Sequence, residues 1–263
     1  MEHRGDVDGS RVGNRASPGA TPATVRDAML VMLSLAAGCV DAVGYLGLGQ
    51  IFVANMTGNT VLLGLAIGQA KAQTALRALV ALVGFVVGVA AGAAIVGPGR
   101  ARSTWPPGVT VALSVELVVL VAFAVGWSAV GSEPAGGAVY TLIVLPAVAM
   151  GVQSAAVRRL GIPGVATTYI TGTLTDLTEG AIARLRPAVS ATTSDERGEE
   201  SPGRATPSAR GLVLPADVWL AYGIGAVIVG VIAVRWPSSG PSVPVAVVAL
   251  VVAAATARFH RRR

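Results

Sequence analysis

The feature that most limits this chain is the recurrence of long apolar runs almost without charge. Eight segments can be marked, at roughly 28–47, 51–68, 78–97, 109–131, 137–157, 162–178, 216–235 and 243–257. A helix needs about 20 apolar residues to cross the hydrocarbon core of a bilayer. Several such runs cannot all bury one another in a soluble protein of 263 residues, so their solvent is lipid. The expected fold is all-α, a polytopic transmembrane helix bundle. Composition agrees: 13% of the residues are charged, half of the roughly 25% usual in soluble domains.

The charges gather in the first 26 residues, from Arg184 to Arg210, and at the C-terminus. The domain limits follow. Residues 1–27 read as a disordered cytoplasmic tail and 28–186 as membrane bundle. Residues 187–211 are a flexible cytoplasmic linker rich in Ser, Thr, Pro, Glu and Arg. Residues 212–257 hold the last two membrane helices, and 258–263 form a basic tail suited to anionic headgroups. The N-terminus lacks the pattern of a cleaved signal peptide. A formal charge of +6, carried mostly by Arg beside apolar runs, is explained by the positive-inside bias. No nucleic acid partner is implied.

Several chemistries are excluded. Cys39 is the only cysteine, and the two histidines, His3 and His260, lie in the terminal tails. No metal site or cofactor is expected. The chain has no Walker loop, no HExxH, no paired CxxC and no Gly-x-Ser-x-Gly elbow. Asp41 and Asp176 lie in no recognisable protease motif, and an enzyme is not expected.

The second and sixth segments differ from the rest, being short with polar residues near their middles. One contains Asn55-Met56-Thr57-Gly58-Asn59-Thr60; the other contains Thr167-Thr168-Tyr169-Ile170-Thr171-Gly172-Thr173. Thr171-Gly172 follows Thr57-Gly58 by 114 residues, and Gly151 and Ser154 stand at nearly the same offset from Gly38 and Asp41. The chain thus reads as two pseudo-symmetric repeats joined near residue 135, the first spanning 28–134. If the two polar segments dip in and return, six helices cross. Arg100, Arg102, Arg158, Arg159 and the C-terminus then lie inside, while Lys71, Arg77 and Arg235 fall outside. That count fits the positive-inside bias better than eight crossings, and makes the halves inverted repeats.

Irregular backbone at membrane depth is tolerated only where protein buries it or it lines a cavity. Gly58 and Gly172 permit unusual backbone angles, and Thr57, Asn59, Thr171 and Thr173 can cap a half-helix. The start of a half-helix carries free amides and partial positive charge, a setting for an anion or carboxylate. Paired breaks in two repeats point to a transporter site; the plainer reading is that Thr and Asn tie neighbouring helices together. Asp41 is an ionisable residue inside an apolar segment, on one helical face with Ser34, Gly38 and Tyr45. It suits a proton, a cation or a charged solute, or else a purely structural bond to the unwound backbone nearby. Gln153 and Ser154 occupy the corresponding place. Glu116 is expected to pair with a loop arginine or to reach the interface. Trp105, Trp127, Trp219 and Trp236 mark segment ends, as interfacial aromatic residues do.

The run Gly38-Cys39-Val40-Asp41-Ala42, then Tyr45, then Phe52-Val53-Ala54-Asn55-Met56-Thr57-Gly58-Asn59, resembles the signature of the YoaK-like family. These are small bacterial integral membrane proteins classed as a domain of unknown function. Gly151-Val152-Gln153-Ser154-Ala155 and Thr168-Tyr169-Ile170-Thr171-Gly172-Thr173-Leu174 resemble it too. The likeness covers roughly 28–257 and implies a bacterial inner-membrane protein of about six helices, without supplying a substrate.

Two functions remain. One is a small-solute permease, with the lipid bilayer as its environment and Asp41, Asn55, Thr57, Gly58, Asn59, Gln153, Thr171, Gly172 and Thr173 as its site. The other is a non-transporting scaffold or regulatory subunit. It would pack through Gly84, Gly88 and Gly92, a stripe that fits an internal contact or a homo-oligomer equally.

Overall fold

The computed structural model describes residues 21–99, 103–131, 136–162, 167, 170–185 and 209–260. The expected tail before residue 21, most of the 187–211 linker and the last three arginines lie outside them. The described chain runs α1 (Pro22–Gly47), α2 (Met56–Gly68), α3 (Ala72–Val96), α4 (Pro107–Val130), α5 (Ala138–Leu160), α6 (Ile170–Leu185), α7 (Ala209–Arg235) and α8 (Ser242–Ala255). Among the described residues, six helical spans are long and apolar enough to cross a membrane: α1, α3, α4, α5, Val213–Arg235 of α7, and α8 together with its π-helical continuation to Phe259. The 13 residues of α2 reach only about 20 Å at 1.5 Å per residue, short of the ~30 Å core.

Three boundaries move. Helix α1 begins at Pro22, inside the stretch expected to be a disordered tail. Thr21 accepts the amide of Thr24 and Pro22 needs no hydrogen-bond partner of its own, so the polar residues 22–27 join the helix. Helix α6 runs to Leu185 and α7 starts at Ala209, both past the apolar limits.

Helix association within lipid gains little from hydrophobicity, because the tails are as apolar as leucine. Close packing of small residues and interhelical hydrogen bonds replace it. Two parallel pairs are built this way. Between α1 and α7, Ser34 Oγ donates to the Val218 carbonyl at 2.8 Å and Cys39 Sγ to the Gly225 carbonyl at 3.3 Å. Gly38 sits on the Tyr222 backbone, and Gly225 on the Leu35 carbonyl. Between α3 and α5, Gly84 meets Ala147, Gly88 the Val148 carbonyl, and Gly92 Val152 and Ala155. The Gly84/Gly88/Gly92 stripe is therefore an internal contact between α3 and α5.

Helix α4 packs on α5 and α8, and α8 also packs on α1. Two of the four tryptophans, at the two ends of α4, are buried against protein. Trp105 is buried, donates Nε1–H to Thr110 at 2.9 Å and stacks on Phe259. Trp127 is buried edge-on to Phe123, its ring over Gly47. Trp219 and Trp236 are exposed.

Candidate functional site

The first break is not at Thr57-Gly58. Helix α1 ends at Gly47, the chain turns through Gly49 and Gln50 with positive φ, and residues 51–55 return beside α1 without helical structure. Asp41, 3% exposed, receives them. Its Oδ1 accepts the amides of Val53 at 2.7 Å and Ala54 at 2.6 Å, and Oδ2 accepts that of Asn55 at 3.1 Å. The Tyr222 hydroxyl, from α7, donates to Oδ2 as well. Unpaired amides in hydrocarbon cost several kcal/mol each by order of magnitude. One carboxyl therefore makes the unwound stretch tolerable.

The rest of the break is closed by side chains acting as backbone. Asn59, fully buried, accepts the Phe52 amide through Oδ1 at 3.0 Å and returns Nδ2–H to the Phe52 carbonyl at 2.5 Å. Asn55 is the true N-cap of α2, its Oδ1 accepting the Gly58 amide at 3.1 Å. Thr57 and Asn59 were expected to cap and do not, since both lie within the first turn of α2. Gly58 is helical. Its missing Cβ leaves room for the Phe52 ring, 2.9 Å from where that atom would stand. Thr57 is exposed. Asp41 thus takes the amides of the stretch leading into α2, while the Asn55 side chain caps the helix itself.

At the second break, Gln153 Nε2 donates to the Leu33 carbonyl at 3.1 Å and to Thr167 Oγ1 at 2.9 Å. Gln153 and Thr167 are buried. Thr171, Gly172 and Thr173 lie in the first turn of α6, Thr171 exposed and Thr173 buried. Residues 163–166, 168 and 169 lie outside the described residues.

The nine expected site residues fall into two groups. Asp41, Asn55, Gly58 and Asn59 share one network, with Thr57 beside it. Gln153 joins the second break instead, bonded to α1 at Leu33, eight residues and about 12 Å of helix from Asp41. Tyr222 was missed. Its only sequence signal is a lone hydroxyl in an apolar segment, 181 residues from its partner. Glu116 also differs from expectation: it is fully buried, with no hydrogen-bond partner among the described residues. An apolar groove of about 490 Å³ runs along α7 past Trp219, Tyr222, Ile224 and Val227; it suits a lipid chain rather than a polar solute.

Helices of this length, packed through glycines around buried polar breaks, define a multi-pass helical membrane protein. The chain belongs to the family described as "Protein of unknown function (DUF1275)", whose pattern matches residues 29–256. It is similar to the UPF0700 transmembrane protein YoaK of Bacillus subtilis (strain 168), 45% identical over 166 residues, which is 63% of this chain and 71% of that protein. No solved structure matches it.

Proposed function

We propose that this protein is a small-solute permease of the bacterial inner membrane, with both termini cytoplasmic and with the two breaks as its gates. The observation that carries the reading is the bond set of Asp41. A buried ionisable side chain inside a membrane helix marks a functional site by default, and this one holds irregular backbone to the core through three amides and a tyrosine. A small anion is the substrate class: a solute carboxylate can take the place of Asp41 on the amides of residues 53–55 and release the gate. The reading includes no cofactor and no covalent chemistry.

The two halves are read as inverted repeats. Gly38 on Tyr222 and Gly151 on Phe85 are equivalent contacts, as are Gly225 on Leu35 and Gly88 on Val148. Residues 35 and 38 precede 148 and 151 by 113, while 85 and 88 precede 222 and 225 by 137. The surplus lies in the connector before α7. Such repeats suit rocking of one half against the other.

The test is solute flux into proteoliposomes, with formate and acetate as probes and glycerol as the neutral control. Wild-type protein is expected to carry an anion faster than empty vesicles, and Asp41→Asn to fall to their level while remaining monodisperse. Equal flux in the two proteins removes Asp41 from the mechanism, and anion flux no faster than that of empty vesicles overturns the permease reading.

A further inference from the structure

A second polar group lies deeper in the bundle. Glu116 is 0% exposed on α4, and both carboxyl oxygens lack a hydrogen-bond partner among the described residues. Gln153 on α5 is equally buried and its Oε1 is likewise unpartnered, although its Nε2 is doubly bonded. Three oxygen acceptors without a donor are costly in hydrocarbon.

Helix registers bring them together. Eleven residues are three turns plus about 20°, so residues eleven apart share a helix side. Trp127 lies on Gly47 of α1, so Glu116 leaves α4 on that same inward side, about 16 Å along the helix. Leu142 lies over Gly126 of α4, so Gln153 leaves α5 on the side that meets α4. In depth, Gly108 touches Val96 and Arg159 Nε donates to the Val96 carbonyl, which sets the start of α4 level with Arg159. With α4 and α5 antiparallel, Glu116 is then level with residues 151–152, one step from Gln153. Gln153 reaches Leu33 of α1, one turn from the small side chains of Ala36 and Ala37.

We propose that Glu116 and Gln153 form a binding site for a monovalent cation in the core between α1, α4 and α5. A proton and a sodium ion share the required chemistry: a single positive charge that acceptor oxygens alone can satisfy. Because Gln153 also holds Thr167, occupancy is relayed to the second break. The inference rests on the permease reading for its purpose, as the coupling ion, while the binding stands without flux. The charged groups on the surrounding helices lie elsewhere. Helix α8 has none over Ser242–Ala255, α3 has Arg77 near its start, and α5 has Arg158 and Arg159 in its last turn. On α1, Arg26 and Asp27 pair with each other, and Asp41 is bonded to its loop.

The experiment uses purified full-length protein in nanodiscs. For sodium, the thermal midpoint is compared in sodium and choline chloride at fixed pH. For the proton, the infrared carboxyl band is followed as pH is stepped. The expected result is a sodium-dependent rise, or a titrating carboxyl band, present in wild type and absent from Glu116→Gln. Gln153→Leu, which keeps the carboxyl, is expected to weaken sodium binding about tenfold or move the titration by about one pH unit, the weight of one lost partner. If wild type shows neither signal, the inference is overturned whether or not the variants fold. Its failure is separable from that of the permease reading. Anion flux without cation binding leaves an uncoupled facilitator, and cation binding without flux leaves the site and removes the permease.

Discussion

Tyr222 donates its hydroxyl to Asp41 across the α1/α7 contact, joining residues from opposite halves of the chain at the point where the backbone unwinds. That bond ties the first break to a helix of the other half. Gly38 makes it possible, because any larger residue would hold the Tyr222 backbone away.

Tyr222→Phe removes the one side-chain donor to Asp41 among the described residues and leaves the amides in place. The expected loss is about 1–3 kcal/mol, the usual cost of stripping a partner from a buried polar group. Thermal unfolding in detergent measures it, and an unchanged midpoint would show that the bond carries no weight.

Asn59→Ala frees both the amide and the carbonyl of Phe52, and should destabilise the protein by about 2–4 kcal/mol if each orphaned group costs at least 1 kcal/mol. Thr57→Ala, two residues away and exposed, should stay within about 0.5 kcal/mol of wild type. The contrast matters more than either value. Equal effects in the two variants would contradict the part assigned to Asn59.

Gly225→Ala and Gly223→Ala test glycine packing within one helix. A Cβ at position 225 would strike the Leu35 carbonyl, whereas one at 223 meets nothing within 4 Å. Overpacking of this kind costs about 1–3 kcal/mol, while a helix-favouring alanine at 223 should be neutral or stabilising by up to about 1 kcal/mol. Unfolding midpoints of the two variants, ranked against wild type, decide the matter.

Six crossings place the α2–α3 and α7–α8 turns on one side of the membrane and the α3–α4 connection on the other. In a Cys39→Ser background, cysteines at Gln69 and Ser238, both exposed, should therefore react with an impermeant maleimide from the same side. One at Ser103 should react only from the opposite side. Under eight crossings Gln69 and Ser238 part company, so a single labelling gel separates the topologies.

The sequence by itself determined the solvent of this protein and marked its eight apolar segments. Apolar runs of membrane length have one inexpensive solution in lipid, a helix that satisfies its own backbone. The short, polar second and sixth segments were legible for the same reason, since they break that rule. Asp41 was legible as a buried acid on the face of Ser34 and Gly38, because helical spacing alone sets that face. Only the tertiary structure decided what these residues touch. The amides of residues 53–55 and the hydroxyl of Tyr222 reach Asp41 after the chain has doubled back, at separations of 12 to 181 residues that local periodicity does not encode. It also turned the Gly84/Gly88/Gly92 stripe inward, buried Trp105 and Trp127 against protein, and left Glu116 in the core. Each of those outcomes depends on which helix lies alongside, and in lipid that choice is made by close backbone approach and polar pairing rather than by hydrophobic pattern.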